Sequence, residues 1–398
     1  MIRSIFIKEV KETLREGRFR IAAGIILVLL LLAVFITSKQ YQNNISQYEE
    51  AKNHERNIWL NQGEKNPHSA AHYGTYAFKP RYPLSLLDQG VDKYAGISIY
   101  LEAHKRNEAQ FSAAADQTGL SRFGDLTPDF ILLFIMPLLI ILMGYNSFTK
   151  EKEGATFALL KSQGIKGWKL ALGKWLAALF PVFAITFAIF LLAALVLSGL
   201  KDYGTLNVGA LLLMLGVYLL YYMVFANIVL VISSLSKNSG ISLVLCLSVW
   251  IIACFAAPKA ASNIADKKYP YPTRQEFAAN VLKDKEAGLD GHNPFSKEAK
   301  LIEKNLLKEY GVDSIEQLPF NFDGYIMQKG EEHEAEVYFK HYSLLKEQFY
   351  NQTRTYKTLA AISPFLPTRF LSMSLANTDY ETHWNFADAA EKHRVEMQ

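Results

Sequence analysis

The 398-residue chain has only two cysteines, Cys246 and Cys254, and both fall inside one apolar run. No disulfide framework or cysteine-rich metal site is therefore available elsewhere in it. Eight residues apart on a helix, the two thiols are small apolar fillers. Charge is missing from longer stretches. Residues 21–37, 130–147, 175–200, 206–232 and 239–258 contain no Asp, Glu, Lys, Arg or His. Ion-coupled carriers need ionisable groups or broken helices near mid-membrane. Their absence argues against secondary transport, and energy for any transport must come from elsewhere. Internal repeats and low-complexity tracts are also missing.

What is present is a sharp segregation of oily and polar blocks. About 20 residues at 1.5 Å rise cross a hydrocarbon core roughly 30 Å thick. With their flanks, all five charge-free runs meet that length. The first follows a basic stretch but is too long for a signal core and lacks a small-x-small cleavage site, so it reads as a retained anchor. Short loops orient spans through their lysine and arginine excess. Residues 1–20 carry Arg3, Lys8, Lys11, Arg15, Arg18 and Arg20, and 148–174 carry six lysines. The connections 200–206 and 233–238 carry only Lys201 and Lys237. This bias predicts a cytoplasmic N-terminus and a cytoplasmic 148–174.

The expected fold is mainly α: a polytopic membrane helical bundle with two extracytoplasmic, largely helical insertions. Its segments are an interfacial helix at 1–20, span 1 at 21–38, an insertion at 39–128, span 2 at 129–147, a cytoplasmic segment at 148–174, spans 3 to 5 at 175–200, 206–232 and 239–258, and a second outer domain at 259–398. A sixth span is expected beyond residue 398. Both insertions hold enough aromatic residues, Trp59 and Trp384 among them, to build a core. Apolar spacing predicts helices at 296–310 and 331–357. YPYP at 269–272 and GLDGHNP at 288–294 break them with turns. At the N-terminus Ile2, Ile5, Phe6, Val10 and Leu14 recur at helical spacing with charges opposite, the pattern of an amphipathic helix lying on a membrane surface.

Catalytic signatures are few and incomplete. GWKLALGKW has five residues rather than four between Gly167 and Gly173, and Trp175 stands where a magnesium-binding Ser or Thr is required. It is not a phosphate-binding loop, so no cofactor is expected on this chain. PHSAAHYG places His68 and His72 four apart, but two ligands do not make a metal site, and Pro67 and Gly74 mark a loop. HEAEV at 333–337 lacks the second histidine of a zinc-protease helix. Within the fourth run, Asn227, Tyr218, Tyr221 and Tyr222 are the conspicuous polar groups, and Asn227 suits a bond to a neighbouring helix.

One segment stands apart. Residues 148–175 read FTKEKEGATFALLKSQGIKGWKLALGKW. They contain an acidic pair (Glu151, Glu153), a small-residue step with Thr156, paired Leu159 and Leu160, a Ser162-x-Gly164 turn and a closing Gly173-Lys174. This resembles the segment between spans two and three of ABC type-2 transporter permeases. YPLSLLDQGV, YLEAHKRN and RFGDLTP, with residues 362–394, are similar to a subgroup with large insertions after spans one and five. The glycine usual before Thr156 is replaced by Ala155, with Gly154 one place earlier.

The resemblance implies a coupling helix that docks on a separate ATPase subunit, present in two copies and carrying ATP and Mg. Glu151, Glu153, Thr156, Leu159, Leu160, Ser162, Gly164 and Lys174 would serve that contact, and residues 1–20 would form the family's elbow helix. It further implies a second permease chain, identical or related, a bacterial inner membrane with the large domains periplasmic, and contact with lipids and other envelope proteins. No nucleic-acid partner is expected. Transport is the leading expectation. The alternative is mechanotransmission, in which ATP-driven motion of the spans moves the outer domains without cargo passage.

Overall fold

A computed structural model describes residues 1–66, 69–70, 72–110, 126–200 and 204–397. His68, Lys201, Gln398 and the RFGD of 122–125 lie outside the described residues. The chain is mainly helical, and among the described residues five helices are long and apolar enough to cross a membrane. It is thus built as a helical multi-pass bundle.

Helix α1 (Ile2–Arg15) ends at Glu16, whose extended backbone (ψ 122°) turns the chain into α2 (Gly17–Leu60). The 44 residues of α2 span about 66 Å at helical rise. That is roughly twice a hydrocarbon core. The helix therefore continues unbroken well beyond the oily run that begins it. Next come an antiparallel hairpin, β1 (Thr75–Phe78) and β2 (Ser98–Leu101), paired Thr75 to Leu101, and then α3 (Pro128–Glu153). A short helix α4 (Thr156–Ser162) leads to α5 (Gly167–Leu197), α6 (Thr205–Leu235) and α7 (Ser239–Lys268). The remainder is α8 (Arg274–Glu286), α9 (Lys297–Tyr310), α10 (Phe322–Leu359), α11 (Phe365–Leu375) and α12 (Tyr380–Met397).

The bundle core is aliphatic and aromatic, with Leu132, Leu133, Met136 and Ile140 of α3 against Tyr218, Tyr222 and Phe225 of α6. Gly144 lets these two helices approach closely, since a Cβ there would lie 2.6 Å from Val229 Cγ1. Two π-helical turns, Ile131–Ile135 and Ile252–Ala256, interrupt α3 and α7 just before Pro137 and Pro258. A proline has no N–H to close the helical ladder, so carbonyls upstream need other donors. Tyr221 donates to the Leu133 carbonyl at 2.8 Å and Tyr222 to that of Leu132 at 3.0 Å. Trp250 Nε1 serves Phe134 at 3.1 Å, and Ser363 Oγ serves Ala253 at 2.6 Å. Two of the conspicuous tyrosines of the fourth run, Tyr221 and Tyr222, are thus backbone donors. Asn227 instead faces outward, lining a groove with Trp168, Trp175 and Leu230.

The polar segments pack onto the bundle and one another. The hairpin meets α2 through an edge-to-face contact of Phe78 with Tyr48 (5.0 Å). It meets α12 through Ile99, Leu101, Phe386 and Ala390. The helix expected at 331–357 begins earlier, at Phe322, because the Asn321 side chain accepts from Gly324 N–H and caps it. Near that start, Phe322 and Ile326 pack on Ala299 and Leu306 of α9.

Candidate functional site

The segment between α3 and α5 is a compact knot. Gly154 ends α3, and Ala155 adopts a left-handed backbone (φ 57°) that starts α4. The far end of α4 closes as a Schellman motif on Gly164 (φ 75°). Gly164 N–H bonds to Lys161 O at 3.0 Å and Ile165 N–H to Leu160 O at 3.3 Å. Phe157, Leu160 and Ile165 turn inward onto Phe148, Leu170 and Leu230. Leu159 turns outward and is 57% exposed, with Ser162 and Gly164 exposed beside it.

Charge anchors the knot on two sides. Lys174 of α5 is buried, its Nζ 2.7 Å from Glu9 Oε1 and 3.3 Å from Glu151 Oε1. Lys8 lies 3.3 Å from both Glu12 and Glu151, and Lys150 lies 2.8 Å from Glu12. The Thr156 hydroxyl donates to the second Glu151 oxygen. Three lysines and three carboxylates are thus drawn together from α1, α3 and α5. Burial opposes charge on Lys8, but Glu9, Glu151 and Glu12 outweigh it and raise its pKa. Burial likewise opposes ionisation of Glu12, which Lys150 and Lys8 nevertheless hold below the ordinary carboxylate range.

On the other side Glu153 accepts from Ser239 N–H (2.7 Å) and Ser239 Oγ–H (2.8 Å) at the start of α7. Lys152 donates to the carbonyls of Ser234 (2.6 Å) and Ser236 (3.1 Å), where α6 ends. Both members of the acidic pair are therefore bonded to the rest of the protein, Glu151 buried and Glu153 exposed. The outward face presents Leu159, Ser162 and Gly164, with Thr156, Lys161 and Gln163 exposed beside them.

The amphipathic stripe of α1 is half-covered by α5. Ile5 packs at Gly173, where a Cβ would meet Ile5 Cγ2 at 2.7 Å, and Phe6 stands edge-on to Phe180 at 5.7 Å. Ile2 and Val10 are half-buried, while Leu14 is exposed.

At the opposite end of the bundle lies a buried ionic cluster that inspection of the spans alone does not reveal. Arg369 of α11 reaches Asp88 Oδ1 (2.9 Å) and Asp129 Oδ2 (2.6 Å) with one nitrogen. Ser372 donates to Asp88 Oδ2 at 2.5 Å and lies 3.0 Å from the Tyr218 hydroxyl. Gly90 (φ 50°) lets the chain after Asp88 pass against Thr378, and Val91 N–H bonds to Thr378 O at 2.8 Å. Burial pushes the Asp88 carboxyl up to about 6 against the pull of Arg369, with Asp129 adding to the rise. YPLSLLDQGV and the stretch beginning at 362, far apart in sequence, meet here.

Beside α10 is a cavity of about 770 Å³ lined by Phe349, Tyr356, Phe370 and Tyr380, with Asp266 and Lys357 among its polar groups. Of the two histidines of PHSAAHYG, His72 is described, with its ring 5.0 Å from that of His104. Residues 274–398, the stretch from α8 through α12, match a family described as a domain of unknown function, DUF3526. No curated protein matches the chain.

Proposed function

We propose that this chain is a membrane subunit of an ATP-driven ABC transporter of the type-2 permease class. The observation that carries the reading is the knot at 148–174. Its inner side is bonded to α1, α5, α6 and α7, and its outer side presents Leu159, Ser162 and Gly164. A push on that face is delivered to four helices at once. Hydrolysis belongs to the partner, with ATP and Mg held by two ATPase copies and a second permease chain completing the path. The knot and the N-terminus then lie in the cytoplasm of a bacterium, with the hairpin and α8–α12 beyond its inner membrane.

Mechanotransmission is the second reading, and the length of α2 favours it. One unbroken helix runs from the corner with α1, through the apolar run, to Leu60. The α7 helix likewise continues to Lys268 and packs on α10. Both connections carry motion from the bundle into the polar segments.

Reconstitution with candidate ABC ATPase subunits from the same source tests the shared part of the two readings. A stable complex whose ATP turnover depends on this chain is expected, and failure to associate overturns both. Accumulation of cargo in proteoliposomes selects transport. ATP-dependent movement between probes on α2 and α10 without cargo passage selects mechanotransmission.

A further inference from the structure

The first polar segment and α10 meet at a group of nitrogen and oxygen donors. Glu331 and Glu334 stand three apart on α10 and so share one face. His104 sits opposite, at the tip of a tight turn closed by the Glu102–Lys105 bridge, with a left-handed backbone (φ 64°). Ligand atoms of His104, Glu331 and Glu334 all lie within 4.8 Å of one another. His104 Nδ1 abuts the Glu331 carboxylate, and His104 N–H is 3.4 Å from Glu331 Oε2.

Two further imidazoles lie beside that of His104, outside the three-residue group. The His292 ring centroid lies 4.5 Å from that of His104, and the His72 centroid 5.0 Å from it. Glycines make the approach of His292 possible. A Cβ on Gly291 would lie 3.0 Å from Met327 O, and one on Gly330 would lie 2.5 Å from the Gly291 backbone. The 288–293 loop thus lies directly on α10. Lys285 pairs with Glu334 Oε1 at 2.8 Å, while the other Glu334 oxygen is buried and accepts no hydrogen bond from the described residues.

We propose that His104, Glu331 and Glu334 bind a divalent first-row transition metal ion, zinc foremost, with His292 and His72 as further ligands. The donor set decides the class. Calcium and magnesium take oxygen ligands almost alone, whereas imidazole with carboxylate suits zinc and its neighbours. Zinc bonds of about 2.0–2.2 Å place tetrahedral ligands about 3.4 Å apart, so relative movements of up to about 1.4 Å assemble the site, with the abutting His104 and Glu331 atoms moving apart to admit the ion. The ion joins the 102–105 turn to α10 and to the 288–293 loop, clamping the two polar segments together. This is independent of whether the chain couples to an ATPase.

The test uses the 398-residue chain in detergent or nanodiscs, stripped with chelator and re-equilibrated with micromolar Zn²⁺ alone. One zinc per chain is expected after gel filtration, with X-ray absorption showing mixed imidazole and oxygen ligation. Glu331→Gln preserves shape and His104→Ala removes a ligand, and each should weaken zinc binding roughly tenfold or more. Added zinc should raise the Tm of the unsubstituted chain and not that of His104→Ala. A stripped native chain that takes up no zinc overturns the proposal, as does zinc ligation without imidazole. Should the variants fail to fold, stoichiometry and absorption on the unsubstituted chain decide the matter.

Discussion

Lys174 Nζ and Glu9 Oε1 lie 2.7 Å apart although 165 positions separate them in the chain, and Lys174 is only 1% exposed. Taking such charges out of water is costly, and the pair repays that only with good geometry and additional partners. Glu151 is the additional partner, and it belongs to the segment that the exposed face of α4 extends. Removing one member of such a buried pair typically costs about 3–5 kcal/mol, because the charges left behind stay buried. Lys174→Met leaves Glu9 and Glu151 facing each other, so thermal unfolding followed by tryptophan fluorescence should show a large fall in Tm. Glu9→Gln combined with Lys174→Met should recover part of it. A single variant with unchanged Tm would show that the network carries little stability.

Acid should expose two opposed contributions from the polar segments. Asp88 has its pKa raised by burial to about 6, against about 3.9 for an unfolded chain. Its contribution is full below the unfolded value and is lost as pH rises through about 6. His383 is the reverse case. Burial, with Lys79 nearby, lowers it to about 4, so its contribution is present above about 6.5 and lost as pH falls toward 4. Between pH 4 and 6.5 the two work against each other. Asp88→Asn should therefore make the chain more sensitive to acid than the native form, and His383→Asn less sensitive. Melting curves across that window check both signs, and a common slope in all three proteins would contradict the assignment.

The oily runs were legible because lipid imposes one simple demand: a long stretch without charge. The cluster around Arg369 was not, because neither Asp88 nor Arg369 sits in such a run, and only the packing of α11 against α6 brings them to Tyr218. The tyrosines of α6 stood out as polar groups. The role of Tyr221 and Tyr222 depends on the π turn before Pro137, which periodicity does not register. Glu151 and Glu153 were legible as an important pair, yet residue type does not say which way a carboxylate faces. Their lysine and serine partners come from α1, α5 and α7, at long sequence separation. His104, Glu331 and Glu334 escaped for the same reason: a three-point site drawn from two segments has no spacing to recognise.

Ala155 offers a local test of how the knot is built. Its φ of 57° lies in the left-handed region, where a Cβ costs roughly 1–2 kcal/mol and glycine sits without strain. The added freedom of glycine in the unfolded chain offsets part of that gain. Ala155→Gly should therefore raise stability by about 0.5–1 kcal/mol and slow amide exchange in α4, measured by hydrogen exchange with mass spectrometry. Faster exchange throughout Thr156–Ser162 would mean that alanine is preferred there.

The outward face of α4 decides whether the knot meets a partner. Among the described residues, Leu159 packs in none of the hydrophobic cores, and Ser162 bonds only to the Leu159 carbonyl of its own helix, at 2.8 Å. Surface substitutions away from packed features usually change stability by no more than about 0.5 kcal/mol. Leu159→Asp and Ser162→Arg should therefore leave membrane insertion and Tm unchanged. An apolar anchor in a partner's groove is different, because truncating one at an interface costs about 2 kcal/mol or more, close to thirtyfold in affinity. Co-purification with the ATPase should fall by about that factor in Leu159→Asp, or turnover should become independent of cargo. Glu151→Lys is the poorer probe, since it disrupts the network with Lys8 and Lys174 and confounds folding with docking. Unchanged subunit ratio and unchanged cargo-linked turnover in both surface variants would leave the exposed face of α4 with no role in docking, and the coupling assignment would fall.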